Sequence, residues 1–186
     1  MADLYLVLLH HPIVDKNGVI VTTALTNMDI HDIARSARTY GVRRVYIAHS
    51  VKALRVLAAK IMEHWATGYG STYNATRKDA LSLVALENDL DSTILTLERE
   101  TGQRPRIVVT SAREGANRVT FATLRDELAR RDDPHLLVLG TGWGLAPEVT
   151  RCADVFLEPV LGPTEYNHLS VRSAAAIILD RLRGAR

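Results

Sequence analysis

Two stretches and one arginine carry the residue types that could do chemistry. In Leu136-Leu-Val-Leu-Gly140-Thr-Gly142-Trp-Gly144-Leu-Ala-Pro147-Glu-Val an apolar strand delivers a glycine-dense turn, then a helix start marked by Pro147. Glycines there let the backbone turn sharply and approach a ligand, with backbone N–H groups left to bind it. A tight strand-to-helix connection without a ligand has the same composition. The turn lacks the lysine of a Walker loop, and Leu145 occupies the third glycine position of a dinucleotide fingerprint read from Gly140. A phosphate cradle and an NAD site are therefore disfavoured. The second stretch, Leu157-Glu-Pro159-Val-Leu161-Gly162-Pro163-Thr-Glu-Tyr166-Asn167-His168-Leu169-Ser170-Val171, forces an irregular path and brings polar side chains to a helix start. Ser170 also serves there as an ordinary N-cap. The arginine, Arg35, lies opposite the apolar stripe Ile30/Ile33/Ala34/Ala37 of its helix, either solvated or aimed at a site.

The elements that must position these residues alternate. Leu4 to Leu9 is a continuous apolar run, as expected of a strand covered on both faces, and Val19 to Thr22 is a short extended piece. Thr26-Asn27 caps a helix ending at Gly41, with Asp29 and Asp32 near its positive end. Strands are expected over Val42–Ala48, Ala80–Leu86, Arg106–Thr110, Leu136–Leu139 and Val155–Leu157. Helices are expected over Val51–Trp65, Asp91–Glu100, Phe121–Arg130, Ala146–Cys152 and Ser170–Arg183. Residues 67–76, without periodicity and rich in turn formers, read as a mobile loop. The order predicts a single-domain α/β fold, a mainly parallel sheet flanked by helices.

Composition narrows the function classes. A chain of 186 residues, 47% hydrophobic and 24% charged, suits one globular domain. No apolar run approaches the roughly 20 residues that cross a bilayer, and Met1-Ala2-Asp3-Leu4 lacks a basic leader, so a cytoplasmic location is expected. Cys152 is the single cysteine, read as an inert core residue, and the seven histidines show no His-x-x-x-His spacing, so no metal site is expected. The net charge is only +2, but between Asp32 and Glu63 there is no acid while Arg35, Arg38, Arg43, Arg44, Lys52, Arg55 and Lys60 all occur. Such a run attracts phosphates or forms a solvated face neutralised from elsewhere in the fold.

Three segments, in order, resemble the motifs of SPOUT (α/β-knot) methyltransferases, particularly the tRNA ribose 2′-O-methyltransferase branch. Thr26 to Gly41 is similar to Asn-x-Gly-Asn-x-Gly-Ala-Ile-x-Arg-Thr-Ala-x-x-Phe-Gly, Gly140 to Val149 to Gly-x-Glu-x-x-Gly-Leu-x-x-Glu-Val, and Leu157 to Ala176 to a motif ending Leu-Asn-Val-Ser-x-Ala-x-Ala. Asn-His-Leu followed by Ser-Val-Arg-Ser-Ala also resembles a small, mainly bacterial subgroup without an extra RNA-binding domain. The resemblance implies a C-terminal deep trefoil knot, a homodimer, and S-adenosylmethionine held mostly by backbone groups. The residues it assigns to the cofactor are Thr110, Leu139, Gly140, Gly142, Gly144, Leu157, Pro159, Leu161, Gly162, His168 and Leu169. It makes Arg35 a catalytic residue that reaches a site completed by the second subunit, with Asn167 and Ser170 at the methyl end. The chain departs from the pattern at Asp29 and Ser170, where the family has asparagines, and at Gly142 or Trp143, where it has glutamate. RNA, most readily tRNA, is the implied substrate. Methylation of a base nitrogen, with Asp29 or Glu165 as general base, and a non-catalytic dimeric cofactor- and RNA-binding module are the alternatives.

Overall fold

A computed structural model describes residues 1–185. In chain order the elements are β1 (Leu4–Leu9), β2 (Ile13–Val14), β3 (Ile20–Val21), α1 (Asn27–Thr39), β4 (Arg44–Ala48), α2 (Lys52–Ala66), α3 (Tyr69–Tyr73), α4 (Ala75–Leu81), β5 (Val84–Glu87), α5 (Leu90–Thr101), β6 (Arg106–Val109), α6 (Phe121–Arg130), β7 (His135–Gly140), α7 (Pro147–Thr150), β8 (Val155–Phe156) and α8 (Val171–Arg183). Six strands form a parallel sheet in the order β5-β4-β1-β7-β6-β8, and β2 with β3 makes a separate antiparallel hairpin.

All six residues of β1 are buried because the strand is central and covered on both faces. Leu4, Leu6 and Leu8 face a core closed by Ile30, Ile33 and Ala37 of α1, Leu124 of α6 and Leu179 of α8. Tyr5, Val7 and Leu9 face a second core closed by Ile94 and Leu97 of α5 and Val149 of α7. The expected doubly covered α/β sheet is present.

Three local expectations need correction. Residues 67–76 are not a loop: they form α3 and the first turn of α4, whose N-cap Asn74 accepts from the Arg77 N–H at 2.9 Å. These short helices have no amphipathic repeat because Trp65 packing, rather than a stripe of their own, holds them; a Cβ on Gly70 would lie 2.7 Å from Trp65 Cε3. Helix α4 also takes Ala80 and Leu81 from the expected strand, which begins at Val84 where pairing with Val45 becomes possible. Helix α7 stops at Thr150, which leaves Cys152 exposed rather than in the core, its Sγ 3.5 Å from the Glu148 carbonyl.

Candidate active site

At the carboxyl ends of β6 and β7 lies a cleft of about 670 Å³, between the loops following those strands and the start of α8. Ligands of open parallel sheets bind at this edge, where the winding direction changes. Here the change falls between β1, whose successors β4 and β5 lie to one side, and β7 on the other.

The floor of the cleft is the glycine turn. Gly142 has φ +56° and Gly144 φ +114°, conformations that L side chains rarely adopt. Hairpin β2–β3 clamps the turn from behind: Trp143 N–H donates to Val14 O at 3.1 Å, and Val14 N–H donates to Gly144 O at 2.9 Å. Gly140 ends β7 opposite Leu9, and a Cβ there would lie 2.7 Å from Leu145 Cδ2. The hydroxyls of Thr141 and Thr23 are 2.5 Å apart, tying the turn to the segment before α1. That segment rests on a buried pair of stacked rings, His10 and His49, 5.1 Å apart. His49 Nδ1 accepts from Val51 N–H at 3.1 Å, so its Nε2 carries the proton and donates to Thr23 O at 3.1 Å. Both ring nitrogens of His10 lack a partner among the described residues, and burial pushes its pKa down to about 4. Burial also lowers that of His49.

The other wall is laced together across the chain. Thr110 Oγ1 donates to Val138 O at 3.0 Å, Asn167 Nδ2 to Ala112 O at 2.6 Å, and Phe121 N–H to Glu158 Oε1 at 2.6 Å. His168 sits edge-on between Trp143 and Tyr166, at centroid distances of 6.5 and 5.3 Å. Ser170 Oγ caps α8, accepting from Ser173 N–H at 3.2 Å.

The cleft brings together most of the residues singled out in the sequence: Thr110, Leu139, Gly140, Gly142, Gly144, Asn167, His168, Leu169 and Ser170 all line it. Leu157 and Pro159 are buried outside its lining, and Leu161 and Gly162 stand exposed beyond it. Arg35 is exposed on α1 and does not line the cleft of its own chain. Arg113, Trp143 and Glu165 also line it, although sequence reasoning had not assigned them to the cofactor site. Trp143, 55% exposed beside two positive-φ glycines, was the legible signal among them.

Asp29, named in the sequence as a possible general base, is buried and does not line the cleft. One of its oxygens lies 2.8 Å from Arg172 Nη1, and the other accepts from the Thr26 hydroxyl at 2.6 Å and the Thr26 N–H at 3.2 Å. It therefore caps α1 and bolts that helix to the start of α8. The basic run is also partly accounted for: Arg38, Arg43 and Arg44 pair with Asp79, Asp3 and Glu100, and Arg55 donates to the His49 and Ser50 carbonyls.

The cleft suits a small organic cofactor. Its volume lies within the roughly 300–1,000 Å³ of small-molecule sites. Its floor has no side chain at Gly140, Gly142 or Gly144 to keep a ligand from the backbone. The lining is mixed, with aliphatic groups at Leu139, Val160 and Ile178 and polar ones at Thr110, Asn167 and Glu165.

A family model described as SAM-dependent RNA methyltransferase matches residues 3–184. An uncharacterized protein of Aquifex aeolicus is 43% identical over 180 residues, covering 97% of this chain and 88% of that protein. A protein of Nitratidesulfovibrio vulgaris named tRNA (guanine-N(1)-)-methyltransferase is 46% identical over 182 residues, covering 98% of this chain but only 42% of that protein. Among solved structures, the A. aeolicus TrmH/SpoU tRNA modifying enzyme superposes with a TM-score of 0.55 at 20% identity, over 98% of this chain and 75% of that one.

Proposed function

The chain belongs to the family of S-adenosylmethionine-dependent RNA methyltransferases, with a SPOUT fold, and from that premise we propose that it methylates a ribose 2′-oxygen of tRNA. It does so in the cytoplasm, as a homodimer whose C-terminal segment is knotted. When bound, the cofactor supplies an electrophilic methyl group on a sulfonium centre. The glycine turn, Thr110, Leu139, His168 and Leu169 would hold it through backbone and apolar contacts, with Trp143 and His168 at the rim. Asn167 and Ser170 orient the ribose. Arg35 holds a phosphate bidentately and lowers the cost of deprotonating the hydroxyl.

One observation weakens the base-nitrogen reading, leaving Glu165 as its remaining candidate base. Asp29 is committed to Arg172 and Thr26, so it is not available as a general base for a ring nitrogen. The second reading, N1 of guanine, draws on the Nitratidesulfovibrio relative's name and on Glu165 in the cleft lining. Yet this chain spans 42% of that relative, whose remainder is longer than this chain and large enough for a domain with its own activity.

Arg35 supports the dimer: exposed and outside its own cleft, it can take the catalytic role that the motif implies only by entering a neighbour's. Met28 and Leu169, 58% and 45% exposed, flank the Asp29–Arg172 junction and offer that neighbour an apolar surface. The knot is favoured by bonds that lace the last segment to the 110–121 connection: Glu158 N–H to Val119 O at 2.9 Å, and Asn167 to Ala112.

The test is to incubate the protein with unmodified tRNA and S-adenosylmethionine and digest the product to nucleosides. A 2′-O-methylnucleoside is expected; 1-methylguanosine in its place establishes the second reading. Sedimentation showing only a 20.6 kDa species in active enzyme refutes the shared site.

A further inference from the structure

On the side of α1 away from α8, a second groove of about 460 Å³ is lined by Asn27, His31, Lys60, His64, Trp65 and Arg77, with Ile61 at its base. Its polar lining comprises an amide, two imidazoles, an ammonium and a guanidinium, without a carboxylate. The Arg77 guanidinium lies 4.7 Å from the centre of the Trp65 ring, and both histidine rings meet the same indole edge-on, at 5.5 and 5.3 Å. Stacking fixes the arginine without satisfying it: Arg77 Nε and His31 Nδ1 are buried without a hydrogen-bond partner among the described residues. Arg35 follows His31 by one turn on the same face of α1. Neither Arg35 nor Lys60 has an acidic partner among the described residues, unlike Arg38, Arg43 and Arg44 of the same basic run. Burial, with Arg77 next, holds the His31 pKa below its ordinary value.

Beside the groove, α3 presents Tyr69 and Tyr73, each 75% exposed, with rings 24° from parallel and centroids 6.0 Å apart. The position of α3 depends on the groove itself, because Gly70 lets it close over Trp65. Exposed aromatic faces beside a cationic groove are the two components of single-stranded RNA binding, one for bases and one for phosphates.

We propose that this groove is an RNA-docking site, separate from the methyl-transfer cleft, in which Lys60, Arg77 and His31 hold a phosphodiester of the substrate while Tyr69 and Tyr73 stack an adjacent unpaired base. Charge complementarity selects the occupant, since a phosphodiester brings the negative charge that no carboxylate in the groove lining supplies. The inference rests on RNA being the substrate and not on which of its atoms is methylated.

The test uses the full chain and fluorescently labelled total tRNA over a series of salt concentrations. Lys60→Gln with Arg77→Gln should weaken binding about 10–100-fold near 0.1 M salt and flatten the slope of log affinity against log salt by about 1.5–2. S-adenosylmethionine affinity and kcat at saturating RNA should be unchanged, and the melting temperature should fall by only about 2–4 °C, through loss of the Arg77–Trp65 stack. Tyr69→Leu with Tyr73→Leu should weaken a single-stranded oligonucleotide about tenfold and spare duplex RNA. Lys60→Arg, which keeps the charge, should bind as wild type and guards against loss of fold. Unchanged affinity and slope in the double variant, or absence of RNA binding by the wild type, overturns the proposal. So does altered self-association without altered RNA affinity, which makes the groove a protein contact. A parallel fall in kcat also overturns it by placing these residues in the chemistry. The nucleoside digestion reports on the methylated atom independently of all these outcomes.

Discussion

Replacing Asp29 with alanine separates a structural aspartate from a catalytic one. Asp29 stands where the resembling motif has asparagine, and it is 4% exposed. Removing one partner of a fully buried ion pair costs about 3–5 kcal/mol, because the other charge is left without compensation. Arg172 is less confined: its side chain keeps 27% exposure, and Asp32 lies 3.6 Å from its Nε. The ion-pair share therefore falls to about 1–2 kcal/mol. Loss of the reciprocal cap between Thr26 and Asp29 adds about 0.5–1 kcal/mol. Together these give about 1.5–3 kcal/mol, or a fall in Tm of roughly 3–12 °C for a chain of this size. Asp29→Asn, which keeps an acceptor for Thr26 and Arg172, should recover about half. The assay is urea denaturation with calorimetry, alongside methyl transfer measured below the transition, where both variants should retain turnover at saturating RNA. An Asp29→Ala protein that melts as wild type does but no longer methylates RNA would falsify this reasoning and restore Asp29 to the chemistry.

Saturating S-adenosylmethionine should stabilise the protein by about 2.7 kcal/mol at 100-fold excess over Kd, and Gly140→Val, which drives a side chain into Leu145, should abolish that increment. Arg35→Ala should change stability by less than about 0.5 kcal/mol and leave cofactor binding intact, yet lower methyl transfer by roughly two to three orders of magnitude, with only partial rescue by lysine; wild-type turnover on a verified RNA removes it from the mechanism. His10 takes up a proton less readily folded than unfolded, with a pKa of about 4 against the ordinary 6.5. Its contribution is therefore complete above about pH 6.5 and is lost as pH falls toward 4, at most about 3 kcal/mol, with His31 and His49 acting in the same direction. Equilibrium unfolding across that range should show the decline and His10→Leu should reduce it; a flat wild-type profile contradicts the burial of an uncharged His10.

The alternation of helices and strands, the central buried strand Leu4–Leu9 and the caps at Thr26 and Ser170 were legible because each is set by local chemistry. Hydrophobic period, turn residues and capping side chains act within a few positions of one another. The sequence likewise singled out the glycine turn and the Asn167–Ser170 stretch, and both line the cleft at the carboxyl edge of the sheet. Tertiary structure decided the rest. Asp29 became a bolt because Arg172 arrives 143 positions later, a pairing without any local trace. The hairpin clamp on the glycine turn depends on Val14 meeting Trp143 and Gly144, and the exposure of Cys152 on where α7 stops. Helices α3 and α4 exist where composition suggested a loop, because packing on Trp65 supplies what their own short sequences lack. The charge run divided in the same way: sequence placed seven cations together, and only the fold determined that Arg38, Arg43 and Arg44 meet carboxylates while, among the described residues, Arg35 and Lys60 do not.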